Sequence, residues 1–206
     1  MNLEKIKYGI LMAMSIEARS FVQGFKMSQV ETEPFPVYRH KNIGLIISGI
    51  GRVRAAAATA YFINRYSPEM LINMGTAGSN IKELQEGMIF SINPVFDADL
   101  ALYKGPKYHE YKLETFPEIA SARLLTSDRP SITIEERKVA AEKAELSDME
   151  GSSFAQVCEL FNKKGYIFKI VSDSPGVESF KSVREGIEKY SEQLYEFFKT
   201  RILTDC

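Results

Sequence analysis

Ser147-Asp148-Met149-Glu150-Gly151 lies between Leu146 and a run in which Phe154, Val157, Cys158 and Phe161 recur at i, i+3, i+4 and i+7. That spacing is one apolar helical face, so the stretch predicts a strand that ends and a helix that begins. The next apolar run, Tyr166-Ile-Phe-Lys-Ile-Val171, reads as a buried strand and stops at Ser172-Asp173-Ser174-Pro175-Gly176. Strand, helix, strand is the parallel crossover unit and places the chain in the α/β class. In such sheets ligands bind beyond the carboxyl ends of the strands, and Glu150 and Asp173 both fall there, on one edge. Asp148 and Glu150, two apart, share a side of an extended chain. Carboxylates beside a buried helix are costly without a partner, and a polyol with two hydroxyls suits a carboxylate acceptor. The same residues also read as a helix cap and a first-turn glutamate.

Working back toward the start, the crossover pattern repeats. Tyr8 to Met14 is a buried strand, with Ser15 as a helix N-cap and Glu17 in the first turn, again at a strand's carboxyl end. Val30 to His40 is polar and broken by prolines. Ile43 to Ile47 is a second strand, followed by Ser48-Gly49-Ile50-Gly51, whose small residues let backbone N–H groups approach a ligand. Val53, Ala56, Ala57, Ala60 and Ile63 predict a closely packed helix. Pro68 to Met74 is a core strand running into a small-residue turn, Gly75-Thr76-Ala77-Gly78-Ser79. Met88 to Val95 is a strand. Asp97 to Pro117, with Tyr103, Tyr108, His109, Tyr111 and Phe116, reads as a flap, a contact surface or a plain loop. Ala122 to Thr126 is a short strand before Ser127-Asp128-Arg129-Pro130-Ser131, and Thr133 to Ala144 is a charged, mostly exposed helix. The last helix carries Ile187, Tyr190, Leu194 and Phe197 on one face. The expectation is one domain over 1–206, a three-layer α/β/α sandwich around a mixed central sheet.

The bulk properties narrow the function. With 26 Lys and Arg against 27 Asp and Glu, nothing in the net charge of −1 suits a nucleic-acid or membrane surface. Cys158 and Cys206 make neither a disulfide framework nor a metal site, and His40 and His109 are too few for a multi-His metal site. The short apolar run at Ile10–Met14 does not span a bilayer and Glu4 spoils a signal peptide, so the chain reads as cytoplasmic.

Taken in order, Gly9 to Glu17, Ser48-Gly-Ile-Gly-Arg-Val-Arg-Ala-Ala56, Asn73-Met-Gly-Thr-Ala-Gly78, Asp148-Met-Glu-Gly151 and Ser172-Asp173 resemble the purine nucleoside phosphorylase/nucleosidase superfamily. The pattern is most similar to that of its 5′-methylthioadenosine/S-adenosylhomocysteine nucleosidases. The resemblance implies hydrolysis of a purine N-glycosidic bond without a cofactor, by a homodimer in which the irregular loop of one subunit lies near the site of the other. It implies Asp173 as the general acid at N7 of the base, Ser172 as its orienter, and Glu17 as the carboxylate that activates water. It further implies Glu150 on the ribose hydroxyls, Met149 against the sugar and Thr76 near the water, with Gly51 and Ser131 as further substrate contacts. The chemistry agrees: an oxocarbenium-like sugar and a poor anionic leaving group call for a carboxylic acid and a carboxylate. The chain departs from the pattern at Lys169, where the nucleosidases have Arg, at Ser174-Pro175-Gly176, and around Pro130, where they have a stacking Phe. Two alternatives stand beside hydrolysis. One is a phosphorylase, with Arg52 and Arg54 as anion ligands but Asn73 where phosphorylases carry Arg. The other is a non-catalytic nucleoside-binding relative.

Overall fold

The structure, a computed structural model, describes residues 5–100, 108–176 and 180–203, the side chains of 180–188 excepted. Met1, Glu4, Tyr103, Cys206 and the side chain of Ile187 lie outside the described residues. The strands are β1 (Tyr8–Met12), β2 (Ser28–Glu31), β3 (Val37–His40), β4 (Ile43–Ile47), β5 (Met70–Ser79), β6 (Ile89–Asp97), β7 (His109–Tyr111), β8 (Ser121–Thr126), β9 (Leu146–Asp148) and β10 (Gly165–Asp173). The helices are α1 (Ser15–Gly24), α2 (Arg52–Tyr66), α3 (Ile134–Ala141), α4 (Gly151–Leu160) and α5 (Phe180–Phe197), the last continuing as a π-helical turn over Phe198–Ile202.

The strands form one mixed sheet with helices on both faces. Parallel pairs join β1 to β4 and β5, β5 to β10, and β6 to β8 to β9, while β3–β4, β5–β9 and β6–β10 run antiparallel. Because β5 pairs with β9 as well as β10, the path β5-β10-β6-β8-β9 closes on itself, so half of the sheet is curled into a ring. Strand alternation divides the core. Tyr8, Ile10 and Met12 of β1 pack with Ala18 and Phe21 of α1 and with Tyr190, Leu194 and Phe198. Leu11, between them, faces Ala55, Ala58 and Phe62 of α2 and Phe154 and Ala155 of α4 on the other side. The two clusters are the two layers that period-2 side chains require.

Several local expectations are corrected. Val30–His40, polar and broken by prolines, falls in a hairpin of β2 with β3, in which the edge strand β2 is exposed and β3, paired on both sides, alternates. Gly75–Ser79 is no turn but the second half of β5. Its glycines serve close approach instead: a Cβ on Gly75 would lie 2.9 Å from a Glu17 carboxylate oxygen. The buried face of α2 is Ala55, Ala58, Thr59, Phe62 and Ile63, the first four two residues on from the expected Val53, Ala56, Ala57 and Ala60, and Val53 is 84% exposed. Alanine-rich helices contrast little between faces, which is why the phase slipped. Phe161, at the end of the α4 stripe, is 38% exposed. Ser15 is the first residue of α1, and Met14, in extended conformation, is its N-cap.

Candidate functional site

The carboxyl ends of β1, β5, β9 and β10 meet at a cavity of about 590 Å³. Glu17, Thr76, Ser131, Met149, Glu150, Ser172 and Asp173 line it, so seven of the eight site residues expected from the sequence share one space. The eighth, Gly51, does not line it. It donates its backbone N–H to Glu150 Oε1 at 2.8 Å and so positions a carboxylate rather than a ligand. Its φ of +101° is a conformation that favours glycine, which lets the chain turn from β4 into α2 with that N–H aimed at Glu150.

Glu17 is 2% exposed and held from three directions. The backbone N–H of Thr76 donates to Oε1 at 2.9 Å and its hydroxyl at 3.1 Å, while the N–H of Met14 donates to Oε2 at 3.1 Å. Burial pushes its carboxyl above the usual range against the pull of those donors and of Lys169. Glu150, the residue before the first turn of α4, is pushed up to about 7, first by burial and then by neighbouring Asp148, with Lys169 and the Gly51 N–H acting the other way. Buried carboxylates raised in this way beside a cavity are the kind that mark a functional site.

Asp148 also lines the cavity, and both of its oxygens have partners within the protein. Its Oδ1 accepts the Thr126 hydroxyl at 2.6 Å, and its Oδ2 accepts the Gly151 N–H at 2.9 Å and the ammonium of Lys169 at 2.8 Å. It therefore holds the first N–H of α4, whose N-cap residue is Glu150 rather than Asp148, and also balances a buried cation. Lys169 is 2% exposed on β10. Burial alone would lower its pKa, but Asp148, Glu150 and Glu17 outweigh burial and raise it, so it sits as a fixed positive charge among three carboxylates.

Asp173 ends β10 at a register shift between Val171 and Asp173. Consecutive strand residues point to opposite faces, yet the Ser172 hydroxyl donates to Asp173 Oδ1 at 2.6 Å, and this irregularity in the pairing is what brings them together. The other carboxylate oxygen accepts from a group that sequence reasoning missed: Arg137 of α3, paired with Asp173 Oδ2 through Nη2. The helix is mostly exposed, as expected, but Arg137 and Ala140, three apart on one side of it, are buried.

The cations proposed for phosphate are placed elsewhere. Arg52 is bound by Asp97 at 2.6 Å and by Asp128 at 2.7 and 2.8 Å, and it does not line the cavity. Asn73 is buried in β5 and donates to the Leu11 carbonyl at 3.2 Å.

Carboxylates from the strand ends of a partly closed mixed sheet thus line one cavity, and the comparisons identify the class. The sequence profile of the phosphorylase superfamily matches residues 7–127, and the chain belongs to that superfamily. A 5′-methylthioadenosine/S-adenosylhomocysteine nucleosidase of Buchnera aphidicola is 28% identical over 94% of this chain and 96% of its own. The Helicobacter pylori enzyme of the same name has a solved structure that superposes with a TM-score of 0.84 at 19% identity, over 95% of this chain and 97% of that one. Futalosine hydrolase from Helicobacter pylori superposes with a TM-score of 0.83 at 18% identity, over 96% of each chain.

Proposed function

We propose that the protein hydrolyses the N-glycosidic bond of a purine nucleoside, on the pattern of the 5′-methylthioadenosine/S-adenosylhomocysteine nucleosidases, to give free base and a ribose derivative. The observation that carries the reading is that Glu17, Glu150 and Asp173 line one cavity, each held by named donors. Ionised Glu150 accepts the ribose hydroxyls, and Met149 packs on the sugar. Glu17, steadied by Thr76, takes a proton from water as its oxygen attacks C1′. The C1′–N9 electron pair leaves with the base, and Asp173, oriented by Ser172 and ion-paired with Arg137 in the free enzyme, takes a proton from solvent as the nucleoside binds and delivers it to N7.

Phosphorolysis is disfavoured because Arg52 already serves two carboxylates and the position of Asn73 holds no cation. The protein acts as a single-domain cytoplasmic homodimer in this reading. Ile50 and Val53, 53% and 84% exposed at the rim of the cavity and the start of α2, support an apolar contact there. Release of free base in phosphate-free buffer from a panel of adenosine, inosine, methylthioadenosine, S-adenosylhomocysteine and futalosine-like nucleosides tests the activity. Turnover only on adding phosphate, with a sugar 1-phosphate as product, would make the enzyme a phosphorylase.

A further inference from the structure

Arg137 is 2% exposed and lines the same cavity as Asp173. A guanidinium has five N–H donors. Here Nη1 donates to the Ser79 carbonyl and Nη2 to Asp173 Oδ2, while Nε has no partner among the described residues. Gly78 makes room for it: a Cβ there would lie 3.1 Å from Nη1 and 3.2 Å from Asp173 Oδ2. A buried, incompletely bonded arginine beside the group that faces the base is an expensive arrangement unless something else accepts its hydrogens.

We propose that Arg137 selects a 6-oxopurine as the leaving base, by donating to O6 while Asp173 serves N7. This rests on the nucleosidase reading and departs from the adenine nucleosides in the relatives' names. A 6-oxopurine presents two acceptors side by side, N7 and O6. A 6-aminopurine presents an acceptor and a donor. An amino group facing Arg137 sets N–H against N–H and leaves buried donors unmet. As the C1′–N9 bond breaks, its electron pair passes into the base and spreads onto O6. A permanently charged guanidinium placed there stabilises the departing base electrostatically, beyond the proton at N7. The ion pair with Asp173 and the bond to Ser79 fix the guanidinium in position beforehand.

The test compares inosine with adenosine, and hypoxanthine with adenine as free ligands in calorimetry. Wild type is expected to favour inosine in kcat/KM by roughly 10²-fold or more. Arg137→Met lowers both reactions but the inosine reaction by at least about tenfold more, which a merely structural ion pair would not do. If Arg137→Met does not fold, Arg137→Lys replaces it. One compact ammonium cannot serve Asp173, Ser79 and O6 together, so the preference shrinks. Wild-type preference for adenosine, or variants that lose both reactions equally, overturns the proposal. If neither nucleoside is cleaved, the 5′-substituted members of the panel decide the nucleosidase reading, and base binding decides this one separately: tighter hypoxanthine than adenine sustains the role of Arg137, and the reverse ends it.

Discussion

Asp173 is the residue on which the chemistry most depends, and its surroundings change what its replacement should do. From the sequence it stands alone at a strand end, so Asp173→Asn should cost activity and little stability. The structure adds Arg137. Asn keeps the shape but cannot deliver a proton, so kcat is expected to fall by roughly 10²–10⁴. It also leaves a buried guanidinium without its counter-charge, a loss of about 3–5 kcal/mol. The double variant Asp173→Asn with Arg137→Met separates the two effects. Chemical denaturation should show part of the stability restored, because no lone charge remains, while kcat stays low. A single variant as stable as wild type would show that the pair contributes nothing to the fold.

At the scale of elements, the crossover units were legible because their strands are continuous apolar runs and their carboxylates follow directly. β4 matches its expected bounds, and Glu17, Glu150 and Asp173 come to one place because three strand ends do. What was not legible depends on pairing across the sheet. Nothing local in Gly75-Thr-Ala-Gly78 distinguishes a turn from a strand whose glycines admit Glu17 and Arg137, since the reason lies 58 residues away in one case and 59 in the other (Arg137 on Ser79, Thr76 on Glu17). The same holds for Arg52. At the start of α2 it joins Asp97 at the end of β6 to Asp128 in the segment before α3, while Asp97 Oδ2 accepts the Ser152 hydroxyl of α4 at 2.9 Å. Pro130 and Ser131, which line the cavity, follow Asp128 by two and three residues, so this latch is suited to position them. Arg52→Met is therefore expected to raise KM more than it lowers kcat, by about tenfold, and to destabilise the fold by a few kcal/mol because Asp97 is buried. Steady-state kinetics that show a pure kcat defect would count against a positioning role.

For the whole molecule, the buried carboxylates set how stability and activity depend on pH, and in opposite senses. Glu150 has a folded pKa of about 7 against an ordinary 4.5, because burial and Asp148 disfavour its charge. Below pH 4.5 both folded and unfolded chains hold that proton. Between 4.5 and 7 the folded chain holds a proton that the unfolded chain has released, so stability falls as pH rises through the window. The loss is on the order of 3 kcal/mol for Glu150, and Glu17, raised by the same cause, adds in the same direction. Activity runs the other way. Glu150 must be ionised to accept two ribose hydroxyls and Glu17 to accept a proton from water, so kcat/KM should decline below about pH 7, following the free enzyme. Glu150→Gln isolates the cause: its melting temperature relative to wild type should rise steadily from pH 4.5 to 7, and the acid limb of its much reduced kcat/KM should lose the contribution of Glu150. The site is then a place where the fold gives up stability at working pH to keep a charged carboxylate beside the sugar. Parallel melting curves for the two proteins across that window would falsify this account of Glu150.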